Sequence, residues 1–136
     1  MRCFIDTNIL LYSVSIHPEE FEKQQLAARI LKREKCVFSV QVLQEFYVQA
    51  TRPSRARRAT HEEAYGLVEA WWRYPVQDLT IEVVKHALQL NERFGFSYWD
   101  CAIISAAHFS GCQLLYSEDM QHDQMIGGIK IINPFV

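Results

Sequence analysis

No stretch of this chain is apolar for long enough to cross a bilayer, and Asp6 stands where a secretory leader would need uninterrupted apolar residues. A membrane-spanning or exported protein is therefore not expected, and the expected location is the cytoplasm. The four cysteines, Cys3, Cys36, Cys101 and Cys112, include no C-x-x-C pair. That excludes a zinc ribbon and a dithiol redox motif, and leaves reduced, buried thiols as the expectation. The five histidines, His17, His61, His86, His108 and His122, show neither H-x-H nor H-E-x-x-H spacing, so a histidine-based zinc site is not expected. Excess positive charge is also missing: at a net charge of −2 the chain lacks the uniformly basic surface common among nucleic-acid binders. Internal repeats and low-complexity segments are absent too.

What is present is the composition of one folded domain. The 136 residues are 49% hydrophobic and 22% charged, enough chain to bury about two-thirds of its unfolded surface in one core. A single domain over residues 1–136 is expected. Charge is distributed unevenly. Arg52, Arg55, Arg57 and Arg58 fall within one seven-residue stretch, whereas several acids stand singly at the ends of apolar runs. That segregation suits a polyanion gripped at one place and a metal held at another.

The pattern along the chain alternates strand and helix. Arg2 to Ile5 reads as a strand ending at Asp6-Thr7-Asn8, after which Ile9 to Tyr12 opens a helix. Pro18 suits the first turn of a helix reaching Glu34, with Phe21, Ala28 and Leu31 on its inner face. Cys36 to Ser39 is a second strand. Leu43, Phe46, Tyr47 and Ala50 then show helical spacing, closed by Pro53, and the arginine-rich segment is a loop or leads into the next helix. Thr60 and Glu63 form a capping box for a helix to about Trp72, and Tyr74 to Gln77 is a third strand. Thr80 caps a helix with Val83, Val84, Ala87, Leu88, Asn91 and Phe94 near its buried side, stopped by Gly95. Another begins at Ser97 or Tyr98, carries Asp100 in its first turn and turns Ile103, Ala106 and Ala107 inward until Gly111. Gln113 to Tyr116 and, after Gly127-Gly128, Ile129 to Ile132 complete the strands. Such alternation predicts an α/β fold with a mainly parallel central sheet of about four to five strands flanked by helices. Ligands bind such sheets beyond the carboxyl ends of the strands, where Asp6 and Asp119 fall.

Four carboxylates stand out among apolar neighbours: Asp6, Glu45, Asp100 and Asp119. Gathered in a partly dry cleft they would repel one another and take up protons unless a cation compensated them. Oxygen-only ligands select hard ions, Mg²⁺ or Mn²⁺, and such an ion suits phosphodiester hydrolysis by activating water, positioning the phosphate and stabilising the leaving oxygen. Each acid also has a plainer reading. Asp6 suits a turn or an N-cap, Glu45 a solvent-facing helical position, Asp100 the favourable end of a helix dipole, and Asp119 or Glu118 a loop. Spacing alone does not bring the four together.

Phe4-Ile5-Asp6-Thr7-Asn8-Ile9-Leu10-Leu11-Tyr12 resembles the opening motif of PIN domains, especially the VapC-type toxins. The resemblance continues in order through Gln44-Glu45-Phe46, Ser97-Tyr98-Trp99-Asp100-Cys101-Ala102, Tyr116-Ser117-Glu118-Asp119-Met120 and Gly128-Ile129-Lys130-Ile131-Ile132-Asn133-Pro134-Phe135, spanning essentially the whole chain. It implies a single PIN-like domain and a metal-dependent ribonuclease, the toxin of a toxin–antitoxin pair. Asp6, Glu45, Asp100 and Asp119 would then hold Mg²⁺ or Mn²⁺ around the RNA phosphate, with Asn8 and Ser117 in support. A cognate antitoxin that competes at the acidic cleft, and a homodimer, are implied as well. Glu118 is expected to point away if Asp119 points in. Asp123 departs from the family, which often has glycine after the position of His122, and reads as a solvent-facing acid or a fifth acid at the rim. His122, near Asp119, is a candidate for proton transfer.

Arg52, Arg55, Arg57 and Arg58 either contact RNA phosphates or form a solvated loop. Trp71, Trp72 and Trp99 are candidates for base stacking, although helical aromatics usually belong to cores. A haloacid-dehalogenase-type phosphatase also begins with an apolar strand and Asp. It needs a second Asp two residues on, where this chain has Asn8, and no downstream lysine motif is evident. A catalytically silent PIN-like module that only binds RNA or protein is the remaining alternative. Loss of a quartet acid would favour it, and all four are present.

Overall fold

The first strand, β1 (Arg2–Ile5), is buried from Cys3 to Ile5 without alternation, as expected of a strand covered on both faces. The computed structural model describes residues 1–136. After β1 come α1 (Thr7–Ser13), a 3₁₀ turn (Pro18–Glu20), α2 (Phe21–Arg33), β2 (Lys35–Ser39), α3 (Val40–Ala50) and α4 (His61–Trp71). Then follow β3 (Val76–Gln77), α5 (Ile81–Phe94), α6 (Tyr98–Phe109), β4 (Leu114–Tyr116), β5 (Met125–Ile126) and β6 (Ile129–Ile132). No helix is long and apolar enough to cross a membrane.

The strands form one six-stranded sheet in the order β3-β2-β1-β4-β6-β5, parallel except for the β5–β6 pair. The sequence pattern predicts five of them. The sixth, β5, is a two-residue edge strand that precedes Gly127 and Gly128, whose φ angles of +56° and +83° close a tight hairpin onto β6. Unlike β3, whose two residues end the four-residue run from Tyr74, β5 follows the polar run Gln121-His122-Asp123-Gln124, which is why the pattern misses it. The chain leaves β1 towards β2 and β3 on one side, then returns to β4 on the other. The β1/β4 boundary is therefore the point where the winding reverses, the expected place for a ligand.

Local signals account for the helix limits. Thr60 and Glu63 make the reciprocal capping box of α4, and Thr80 and Ser97 cap α5 and α6. Gly95 ends α5 in the left-handed region at φ +75°, donating its N–H to Asn91 O. Gly95→Ala is expected to lower the unfolding free energy by about 1 kcal/mol through that φ alone, since a Cβ there would meet nothing within 4 Å. Urea melts check this.

The core is continuous and includes Phe4, Ile5, Ile9, Leu10, Phe38, Phe46, Ile104, Leu115 and Ile131. All four cysteines are free and buried. Three inner-face expectations are corrected: Phe21 is 62% exposed, Leu88 53% and Phe94 38%. The inward stripe of α5 is Val83, Ala87 and Leu90, which packs on α6, and that rotation turns Leu88 and Phe94 outward. In α2 the buried residues are Ala27 and Ile30. Trp71 is also core, edge-on to Phe46 at 4.7 Å between ring centroids, so it is not available to stack a base.

Candidate active site

The parallel register pairs Ile5 with Tyr116, so the next residues along, Asp6 and Ser117, emerge side by side at the carboxyl ends of β1 and β4. Backbone bonds hold them there: Asp6 N–H donates to Tyr116 O, and Ser117 N–H to Ile132 O, each at 3.0 Å. The side chains then meet directly. Ser117 Oγ donates to Asp6 Oδ2 at 2.7 Å and accepts the Asp119 N–H at 3.1 Å. Thr7 N–H donates to Asp6 Oδ1 at 2.7 Å, so Asp6 is also the N-cap of α1. Its plainer reading as a cap and its place at the switch point are thus both correct.

Glu45 arrives from α3, which starts directly at the end of β2 because Ser39 caps it. Thr7 Oγ1 donates to Glu45 Oε2, and Gln41 Nε2 to Glu45 Oε1, both at 2.9 Å. Asn8 donates through Nδ2 to Asp119 Oδ2 at 3.1 Å and accepts the Glu118 N–H at 3.2 Å. Asn8 therefore orients Asp119 and its loop rather than Asp6. Asp6, Glu45 and Asp119 line one cleft of about 260 Å³ together with Thr7, Asn8 and Arg55. Asp100, in the first turn of α6, lines an adjoining cavity of about 150 Å³ on the other side of Asp119. Three predicted acids thus share a cleft, and the fourth lines the neighbouring cavity, with Asp119 common to both.

Electrostatically the site is uncompensated. Burial pushes the Asp6 carboxyl up to about 6, partly opposed by the bonds from Ser117 and Thr7, with the charges on Asp119 and Glu45 raising it further. Burial likewise raises Asp100, against the Ser97 hydrogen bond and with the same two acids adding to it. None of the four carboxylates has a lysine, arginine or histidine partner within ion-pair distance. As the side chains stand, no three acids, imidazoles or thiols converge on a point that would hold an ion. Each acid instead faces neutral donors.

The neighbouring acids differ in kind. Glu118 turns away into a bond from Tyr12 Oη at 2.6 Å and an ion pair with Lys23, which hold its carboxyl below its usual range against the opposing effect of burial. Asp123, at φ +66°, is 62% exposed and lies 3.5 Å from Lys130 and 3.4 Å from His122. His122 accepts the Asn133 N–H on its other ring nitrogen, so both nitrogens are engaged outside the cleft. Of the arginines, Arg55 lines the acidic cleft; Arg55, Arg57 and Arg58 line the pocket beside it, and Arg52 lines neither. Sequence reasoning overlooks Thr7 and Gln41. The i, i+4 spacing of Gln41 and Glu45 on one helix was a usable signal for the second.

A PIN domain family model matches residues 3–127. Among solved structures, the chain resembles a toxin–antitoxin complex from Klebsiella pneumoniae, at 16% identity and a TM-score of 0.70 over 97% of each chain. It also resembles VapC20 of Mycobacterium tuberculosis, described as a sarcin–ricin loop cleaving toxin, at 18% identity and a TM-score of 0.66 over 83% of this chain and 86% of that one. DNA-bound VapBC from Salmonella typhimurium matches at 20% identity and a TM-score of 0.63 over 96% of each chain. Comparison with curated proteins yields no match. At these identities the structural likeness establishes the fold, and the family match covers nearly the whole length: the chain belongs to the PIN domain family.

Proposed function

We propose that this chain is a divalent-metal-dependent endoribonuclease, the toxin of a type II toxin–antitoxin pair, in which Asp6, Glu45, Asp100 and Asp119 hold Mg²⁺ or Mn²⁺. The observation that carries the reading is a set of four carboxylates, three lining one strand-end cleft and the fourth a cavity that shares Asp119 with it, with no cationic side chain within ion-pair distance of any of them. The donor set fits a hard ion, because it is oxygen-only and includes a buried carboxylate that gains from a positive partner. When bound, such an ion activates water and stabilises charge on the scissile phosphate and leaving oxygen.

The residues of the chain supply orientation. Ser117 and the Thr7 N–H fix the Asp6 carboxylate, Thr7 Oγ1 and Gln41 fix Glu45, and Asn8 fixes Asp119. Neutral donors leave the negative charge intact, which suits a site meant to keep its affinity for a cation. The same reading takes RNA as substrate, a cognate antitoxin as inhibitor, a homodimer as the assembled form, the cytoplasm as location and residues 1–136 as a single nuclease domain. The toxin–antitoxin setting of the structural neighbours supports the antitoxin partner.

Purified protein incubated with a mixed cellular RNA pool is expected to cut in Mg²⁺ or Mn²⁺ and to stop in EDTA. An Asp6→Asn variant of unchanged circular dichroism is expected to lose most of that cleavage, about a thousandfold. Folded, inhibitor-free protein that cuts with neither ion would replace this reading with that of a binding module.

A further inference from the structure

We propose that the pocket between α1, α3 and α4 takes the nucleotide adjoining the phosphate held in the acidic cleft, with Arg55 gripping the phosphate that links the two positions. The assignment rests on the proposed reading of the acidic cleft as the place that holds an RNA phosphate. Its test is a binding measurement that needs no cleavage.

The pocket has about 540 Å³ and shares two lining residues, Leu11 and Arg55, with the acidic cleft, so the two cavities are neighbours. That volume lies within the range of ordinary small-molecule sites. Its walls are of two kinds. Leu11, Val14 and Leu67 give it an apolar side, and Arg55, Arg57 and Arg58 a cationic one. A nucleotide needs both, an apolar surface for the base and fixed cations for the phosphate. Its one glutamate, Glu63, already accepts the Thr60 N–H in the capping box of α4, and those bonds lower its pKa.

The strongest observation is Arg55 itself. It lines a cleft with Asp6, Glu45 and Asp119, yet pairs with none of them within 4.0 Å. A guanidinium that shares a cleft with Asp6, Glu20, Glu45 and Asp119 and is ion-paired to none of them is free to take a phosphate oxygen in the fork geometry that suits it. The loop that carries it is fixed at its far side. Arg57 adopts φ +53°, a region few non-glycine residues enter, and donates to Ile16 O at 3.2 Å, tying the loop to the segment after α1. The Ala59 N–H bonds to Ala50 O at 2.9 Å and closes the loop on the end of α3. Seating a base here while its phosphate faces the acids requires the base to be unstacked, which an unpaired strand or loop allows and a duplex does not.

The experiment is fluorescence anisotropy with a labelled ten-nucleotide single-stranded RNA of mixed sequence, titrated from low to physiological salt, in Ca²⁺ and again in EDTA. The proteins are wild type, Arg55→Met, Arg58→Met and, as a control for lost charge, Arg93→Met at the end of α5. Arg55→Met is expected to weaken binding about tenfold and to flatten the slope of log K against log salt by about 0.7, one phosphate contact on a single strand. Arg58→Met is expected to act in the same direction, Arg55→Lys to restore part of the affinity, and Arg93→Met to match wild type. A slope unchanged in Arg55→Met overturns the proposal, as does wild-type protein that fails to bind the RNA in both Ca²⁺ and EDTA, which would hand the pocket to a protein segment instead. Protein that binds through Arg55 yet never cuts RNA would sink the nuclease reading and leave the pocket assignment standing.

Discussion

Asparagine in place of Asp6 is expected to raise the unfolding free energy of the metal-free protein at pH 8 by roughly 3 kcal/mol while lowering RNA cleavage about a thousandfold. The two effects have one cause. In the fold the Asp6 carboxyl titrates at about 6, above its ordinary 3.8, because burial penalises the charged form more than its two hydrogen bonds favour it. The folded state therefore binds this proton more tightly than the unfolded state. Its contribution to stability is fully present below pH 4 and is lost as the pH rises through 6. Asparagine carries no charge at any pH, so the cost vanishes and the difference between variant and wild type grows across that window.

Asp100, also raised, adds a slope of the same sign. Glu118 and Glu63, both lowered, act the opposite way, their stabilisation being lost as the pH falls through their folded values. All three are common to both proteins, so the difference curve isolates Asp6. Chemical denaturation at pH 4, 6 and 8 in EDTA measures it, and parallel curves at all three pH values would refute the burial argument. Added Mg²⁺ should then raise the melting temperature of wild type more than that of the variant, because a ligand stabilises in proportion to its affinity for the fold.

The second large effect belongs to the core beneath Glu45. Phe46→Ala is expected to cost about 3–5 kcal/mol, a large share of the stability of a domain this size. Phe46 is fully buried and packs edge-on against Trp71, an arrangement worth something beyond area alone. It follows Glu45 on α3, so the residue that anchors the helix sits beside the one that presents the acid. Guanidinium melts should show the lost stability, and Trp71 should report it as a red-shifted emission. If the variant keeps wild-type stability, α3 is held by contacts other than this one. Phe46→Leu, which keeps most of the apolar volume, should lose far less.

How much of this was legible beforehand depends on the range of the signal. The capping box of Thr60 and Glu63, the stop at Gly95 and the serine and threonine caps act within one turn, so they place helix ends from the sequence alone. Rotation of a helix about its axis is harder to read. Apolar residues occupy more than one face of α5, and only packing on α6 selects Val83, Ala87 and Leu90 over Leu88 and Phe94. The arginines show the same limit, since four neighbours in sequence have identical chemistry and only the loop's path brings Arg55 into the lining of the acidic cleft and leaves Arg52 outside.

What the sequence determined by itself is an α/β domain of mainly parallel strands and the identity of four unusual acids in motif order, because caps, periodicity and short motifs are local chemistry. What only the tertiary structure decided is which of these residues meet. Ser117 bonds Asp6 across 111 positions, Thr7 bonds Glu45 across 38, and Asp119 is oriented by Asn8 rather than left as a loop acid. Those meetings follow from β4 lying beside β1 in one register, a choice made by burying apolar strand faces against the helices and invisible to any local window of sequence.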